Sequence, residues 1–294
     1  MIKLNNFYIS ESVKFMKENI PDNFIDLTVT SPPYDNLRNY NGFVFDYKSM
    51  LQELYRITKV GGVVVWIVCD ATISGSETGT SFEHALYAKK IGLNIHDTMI
   101  YGKENYVPLT HNRYEQQFEY MFIFTKNKPR TCNLIKIPCV QSGKVKKSSW
   151  SFDAASTKEN SSIRSGKTRK DEIQVVNNTK IKPNIWFYNV GKNLSTKDKI
   201  AFKHPAVFPE QLVSDHILSW SNEEDIVFDP MCGSGTTCKM AYLNNRKFIG
   251  VDMSEEYINQ ICIPRLEQYG WCTYKENEEN ESIDEYNGGN ICTK

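Results

Sequence analysis

Asn6 to Ile9 reads as a strand, and apolar positions alternate with polar ones over Ile25 to Thr30, which predicts a second. A helical spacing from Ser12 to Asn19 lies between them. A second helix is expected near Tyr47 to Thr58. Gly61-Gly62 then opens the unbroken apolar run Val63 to Val68, which suits a parallel strand covered on both faces. A helix around Phe82 to Ile91 and a strand at Tyr120 to Thr125 continue the alternation, which lapses for about fifty residues. It resumes with helix Pro209 to Trp220, strand Asp225 to Phe228, helix Thr236 to Asn244, strand Lys247 to Val251 and helix Glu255 to Gln268. Strands and helices in this order predict an α/β sheet with one insertion.

A chain of 294 residues that is 40% hydrophobic buries a substantial core, which excludes disorder as its main state. Its 35 Lys and Arg balance 35 Asp and Glu, so a polyanion has to be held by a local patch. The lapse in the apolar pattern supplies one: from Lys126 to Lys182 there are fourteen Lys or Arg against four acids. Residues 273–294 carry six acids among Asn, Ser and Gly, the composition of a flexible tail. There is no apolar run of membrane-span length, and the opening MIKLNNFYISES lacks the order of a secretory signal, so a cytoplasmic protein is expected. The eight cysteines contain no C-x-x-C pair, which points to reduced thiols and metal-free chemistry.

Two loops carry candidate chemistry. Phe228-Asp229-Pro230-Met231-Cys232-Gly233-Ser234-Gly235-Thr236-Thr237 is a Gly-rich turn between a predicted strand and a predicted helix, where backbone approaches a ligand closely and free N–H groups face it. Asp252 follows at the end of the next strand, about where a nucleotide fold places the acid that grips ribose hydroxyls. The third Gly of a dinucleotide fingerprint is missing, with Cys238 near its place, so a cofactor without pyrophosphate fits better. The other loop, Ser31-Pro32-Pro33-Tyr34, follows strand Ile25 to Thr30. Its prolines fix φ and remove two donors, leaving acceptor oxygens beside the Ser31 hydroxyl and the flat face of Tyr34. A planar base with an exocyclic amino group suits that set.

Together these loops resemble the amino-group DNA methyltransferases of restriction–modification systems and phages. The Ser-Pro-Pro-Tyr loop precedes the Gly-rich loop, with the basic stretch between them, which is similar to the permuted order of the beta class. Lys59-Val60-Gly61-Gly62, Phe118-Glu119-Tyr120 and His204-Pro205-Ala206-Val207-Phe208-Pro209-Glu210 extend the likeness to roughly residues 1–270. Two positions depart: Met231 stands where the family often has Phe, and Tyr8-Ile9-Ser10 lacks the usual Gly-Asp.

The resemblance implies a mostly parallel, Rossmann-like α/β sheet of the S-adenosylmethionine-dependent methyltransferase type with permuted motifs. Residues 1–125 would form its catalytic half, 126–190 a target-recognition insertion, 191–272 the cofactor half and 273–294 the acidic tail. The implied reaction is methyl transfer from S-adenosylmethionine to an exocyclic amine of a flipped base in double-stranded DNA. Ser at the first loop position favours N4 of cytosine over N6 of adenine, the alternative. Catalysis would fall to Ser31, Pro32, Pro33 and Tyr34. Cofactor binding would fall to Phe208, Asp229, Pro230, Met231, Cys232, Gly233, Gly235, Thr236 and Asp252. Lys144, Lys146, Lys147, Arg164 and Arg169 would hold DNA. A homodimer and a cognate restriction endonuclease acting on the same site are the other partners such a family implies. Methylation of RNA bases or protein glutamine fits less well, because those families use Asn where this chain has Ser31. An inactive DNA-binding module would have lost one loop, and both are intact in sequence.

Overall fold

The computed structural model describes residues 2–33, 45–106, 113–143 and 177–272, and residues 145–147 and 173–175 by backbone alone. The contacts divide the chain into two compact units, Met1–Asn133 with Asn184–Lys294, and Leu134–Pro183. In chain order the first unit starts with β1 (Asn6–Ile9), α1 (Ser12–Asn19), β2 (Ile25–Thr30), α2 (Tyr47–Ile57) and β3 (Thr58–Val68). A two-residue hairpin, β4 (Thr72–Ile73) and β5 (Ser76–Glu77), leads to α3 (Thr80–Lys90), β6 (Asn94–Lys103) and β7 (Phe118–Thr125). The second unit contributes two antiparallel pairs: β8 (Lys136–Pro138) with β11 (Thr179–Ile181), and β9 (Val145–Lys147) with β10 (Ile173–Val175). The first unit resumes with β12 (Ile185–Tyr188), α4 (Glu210–Trp220), β13 (Ile226–Asp229), α5 (Thr236–Leu243) and β14 (Lys247–Asp252). It closes with α6 (Glu255–Tyr257), a π-turn at Ile258–Cys262 and α7 (Ile263–Glu267).

Eight strands form one sheet in the order β1-β14-β13-β2-β3-β7-β6-β12. Every neighbouring pair is parallel except those of β7, which runs against β3 and β6. The run Val63–Val68 of β3 is buried throughout, as its unbroken apolar character requires, and so is every residue of β2, its alternating polar positions Asp26, Thr28 and Thr30 included. Helix α2 packs Met50, Leu51, Leu54 and Ile57 inward at helical spacing, each apolar side chain worth roughly 1.5–3 kcal/mol of burial. Asp46 caps that helix, accepting from the N–H groups of Lys48 at 3.1 Å and Ser49 at 3.2 Å.

Chain order reverses between β2 and β13: β3 lies on one side of the pair and β14 on the other. Ligands of open α/β sheets bind outside the carboxyl ends of strands at such a point. The two chemistry-bearing loops are those carboxyl ends.

Three features differ from the pattern-based expectation. Strand β6 was not foreseen because His96, Asp97 and Thr98 interrupt its apolar run, and a register shift between Ile95 and Asp97 breaks the period. Strand β12 was not foreseen and lies within the span 126–190 expected as an insertion, yet it completes the sheet beside β6. The helix expected over Glu255 to Gln268 is split by the π-turn, since Pro264 lacks the N–H that a continuous helix needs. Among the described residues no helix is long and apolar enough to cross a membrane. The tail 273–294 lies outside the described residues.

Candidate active site

The loops after β2 and β13 are joined by side chains. Thr30 Oγ1 donates to Asp229 Oδ1 at 2.8 Å, across 199 residues of sequence, and the Met231 N–H donates to the same oxygen at 3.2 Å. Burial pushes the Asp229 carboxyl up to about 6, although the hydrogen bonds it accepts pull the other way. Ser12 Oγ of α1 donates to the Pro230 carbonyl, and Thr237 Oγ1 of α5 donates to the Val29 carbonyl at 3.1 Å. The two loops are thus tied to each other, and to α1 and α5.

Within the Gly-rich turn, Gly233 (φ 50°) and Gly235 (φ 73°) occupy the left-handed region. A Cβ on Gly233 would stand 2.8 Å from His204 Nε2, and one on Gly235 would stand 3.1 Å from Cys262 Sγ. Asp252 closes the turn: its Oδ2 accepts from the Gly233 N–H at 2.8 Å and its Oδ1 from the Ser254 N–H at 2.9 Å. Burial raises the Asp252 carboxyl, and these two bonds partly offset that. Cys238, in place of a third Gly, packs on Gly250 of β14, where a Cβ would come within 2.6 Å of its sulfur. The small residue needed for close helix–strand contact thus sits on the strand instead of the helix.

A buried ion network supports the turn from below. Arg265 Nη1 donates to the Ser234 carbonyl at 2.8 Å and to Thr236 Oγ1 at 2.9 Å, while its Nε and Nη2 reach Asp198 at 2.7 Å and Glu210 at 2.6 Å. Lys239 Nζ bridges the same two carboxylates at 2.6 Å each, and the Tyr269 hydroxyl donates to Asp198 at 2.6 Å. Burial alone would raise the Asp198 carboxyl, but the hydrogen bonds from Arg265, Lys239 and Tyr269 outweigh it and hold the group well below the usual range. Two cations face two anions, so the buried charge is balanced. Removing one partner from such a set costs about 3–5 kcal/mol.

The loops face one cavity of about 860 Å³. Ser31, Pro32 and Pro33 line one part, and Asp229 to Ser234, Thr236, Asp252 and Phe208 line another. Residues 25–262 of the chain match the DNA methylase family. The chain belongs to that family. The orphan methyltransferase M.BamHII of Bacillus amyloliquefaciens is 54% identical over 255 residues, covering 86% of this chain and 93% of the relative. The type II methyltransferase M.BglII of Bacillus subtilis is 24% identical over 87% of this chain and 67% of its own. Among solved structures, the PvuII DNA methyltransferase (cytosine-N4-specific) superposes with a TM-score of 0.62 at 18% identity, over 86% of this chain and 83% of that one. The M1.HpyAVI–SAM complex superposes with a TM-score of 0.55 at 20% identity, over 89% and 98%.

Of the methylase's expected cofactor residues, Gly235 alone does not line the cavity; it turns the chain against Cys262. Met231 both lines the cavity and packs on the apolar core. Tyr34, Lys144, Arg164 and Arg169 lie outside the described residues, and Lys146 and Lys147 are described by backbone only, in β9. Several lining residues were not among the expected site residues, although His204 and Glu119 belong to motifs that carry the resemblance. His204 and Tyr257 meet edge to face with ring centroids 4.6 Å apart, and His204 Nδ1 lies within hydrogen-bond distance of the Ala206 backbone. Tyr101, Lys103 and Glu119 line the cavity from β6 and β7. The signal for Glu119 was its place in Phe118-Glu119-Tyr120; Lys103 gave none, because β6 itself was unseen.

Proposed function

We propose that this methylase transfers a methyl group from S-adenosylmethionine to N4 of a cytosine flipped out of double-stranded DNA. The observation that carries the reading is the shared cavity: acceptors at the end of β2 and a Gly-rich turn with an acid at the ends of β13 and β14.

The residues fit the cofactor. The Gly233 cradle is a place that a Cβ would fill, α5 presents its N-terminus beside it, and each Asp252 oxygen keeps a lone pair for a ribose hydroxyl after accepting one backbone N–H. Phe208, Pro230, Met231 and Cys232 add the apolar part of the wall. When bound, S-adenosylmethionine supplies a methyl already activated on a sulfonium. The M1.HpyAVI–SAM complex, of the same fold, supports this choice.

An exocyclic amine conjugated into its ring is a poor nucleophile. Ser31 Oγ and the Pro32 carbonyl accept its two N–H groups, favour a more tetrahedral nitrogen and stabilise positive charge as it develops. Pro33 holds the loop rigid, and Tyr34 stacks on the extrahelical base. Flipping costs a few kcal/mol, offset in part by that stacking. Serine at position 31 supports cytosine over adenine, as does the cytosine-N4-specific relative in fold.

The basic stretch, in the span 126–190, is read as the target-recognition insertion, with Lys144, Lys146 and Lys147 on phosphates and Arg164 or Arg169 on guanine edges. Nucleoside analysis by mass spectrometry of DNA treated with the pure protein tests the reading. N4-methylcytosine is expected. N6-methyladenine would refute the choice of base, and unmodified DNA would refute the activity.

A further inference from the structure

One charged pair in the cavity has no part in the chemistry above. Lys103 ends β6 and Glu119 lies one residue inside β7, with Nζ and Oε1 2.7 Å apart. Both line the cavity with Tyr101, and their side chains are only 25% and 12% exposed. Desolvating two charges is costly, so an ion pair in a cavity wall is weak evidence for stability and a natural candidate for ligand recognition. Glu119 is the register partner of Tyr101, and Lys103 stands two residues beyond Tyr101, so the three share one face of the sheet. An ammonium has three N–H donors, and Glu119 fixes its position while leaving donors for a ligand.

The sheet sets how far this pair lies from Ser31. Thr30 of β2 pairs with Trp66 of β3, and Trp66 pairs with Phe122 of β7. Ser31, one residue beyond Thr30, is level with Met121 of β7 and Met99 of β6, so Lys103 stands three strands across and four residues further along, roughly 20 Å away between Cα atoms. The serine side chain and an extended lysine side chain cover roughly 9 Å of that, leaving about the length of one six-membered ring with a hydrogen bond at each end. A base held by its amine at Ser31 presents its opposite edge towards β7 and β6. Cytosine offers the O2 acceptor there, whereas adenine, held by N6, offers C2–H.

We propose that Lys103, held by Glu119, donates to O2 of the flipped cytosine and thereby selects cytosine over adenine. The inference rests on the cytosine reading given above, and its test separates the two. The recognition site is first mapped on DNA methylated by the pure enzyme, which also identifies the product. Single-turnover kcat/KM is then measured for wild type and Lys103→Met on duplexes carrying cytosine or 2-thiocytosine at the target, since sulfur is a poor acceptor. Wild type should lose about 10- to 100-fold on the thio substitution, the scale of one charged hydrogen bond. Lys103→Met should show a similar loss already with cytosine and less than about threefold more with 2-thiocytosine, the non-additivity of a direct contact. Unchanged S-adenosylmethionine affinity certifies that the variant is folded. Glu119→Gln, which releases the ammonium while keeping side-chain size, provides the second variant and should also narrow the difference between the two bases. Losses that add would overturn the inference, because a lysine acting on a phosphate weakens both substrates alike. N6-methyladenine as the wild-type product would refute the cytosine reading itself, and the inference with it.

Discussion

Asp252 is asked to do two things, and its replacement separates them. Its Oδ2 and Oδ1 accept from the N–H groups of Gly233 and Ser254 at 2.8 and 2.9 Å, which closes the Gly-rich turn. Each oxygen keeps a lone pair, and Asp252 lines the cavity. In Asp252→Ala both N–H groups lose their acceptor, costing about 1–3 kcal/mol of stability for each that water does not reach. Loss of a charged hydrogen bond to the ribose should cost a further 1.5–3 kcal/mol of cofactor binding, about 10- to 100-fold in Kd. Calorimetric titration with S-adenosylmethionine and with its 2′,3′-dideoxy analogue apportions the two effects, with urea unfolding run in parallel. Wild type should bind the analogue more weakly than the parent compound, and Asp252→Ala should bind both equally weakly. If Asp252→Ala still distinguished the two compounds as strongly as wild type, Asp252 would serve the turn alone and another group would hold the ribose.

The buried Asp229 carboxyl has a folded-state value of about 6 against an ordinary 3.8, so between these the folded state keeps a proton that the unfolded chain has lost. Its contribution is full below about pH 4 and is lost as pH rises to 6, worth about 3 kcal/mol over that window. Asp229→Asn should abolish that loss, and urea midpoints of variant and wild type running parallel from pH 4 to 6 would contradict it. Ser31→Ala should slow single-turnover methylation while leaving DNA and cofactor affinity nearly intact; Tyr34→Ala should also lower the fluorescence of 2-aminopurine at the target by weakening stacking worth about 1–3 kcal/mol. Full single-turnover activity in Ser31→Ala would remove it from the mechanism. Changing Lys146 and Lys147 to Gln should weaken DNA binding and reduce its salt slope by roughly 0.9 for each phosphate that is no longer neutralised, and a fixed slope would mark the stretch as a solvated loop.

Local chemistry made much of this protein legible before any coordinates. A period of two in β2, an unbroken apolar run in β3 and helical spacing in α2 are properties of neighbouring residues, so an α/β sheet follows from them, whereas its mostly parallel order came from the resemblance of the two loops. Prolines after Ser31 and glycines at positions 233 and 235 marked their loops for the same reason: each constrains or frees φ by itself. What linear order could not contain is adjacency. Pairing of β13 with β2 sets Asp229 against Thr30, and pairing of β14 with β13 brings Asp252 to the Gly233 N–H. The Arg265 network joins residues from four separate segments, and no period in the chain announces an ion pair whose partners are 67 positions apart. Lys103 entered the cavity only because β6, broken by polar residues and a register shift, pairs with β7 all the same. Backbone hydrogen bonds to an already apolar neighbour outweigh the poor local pattern there, and that balance exists only once the sheet has formed.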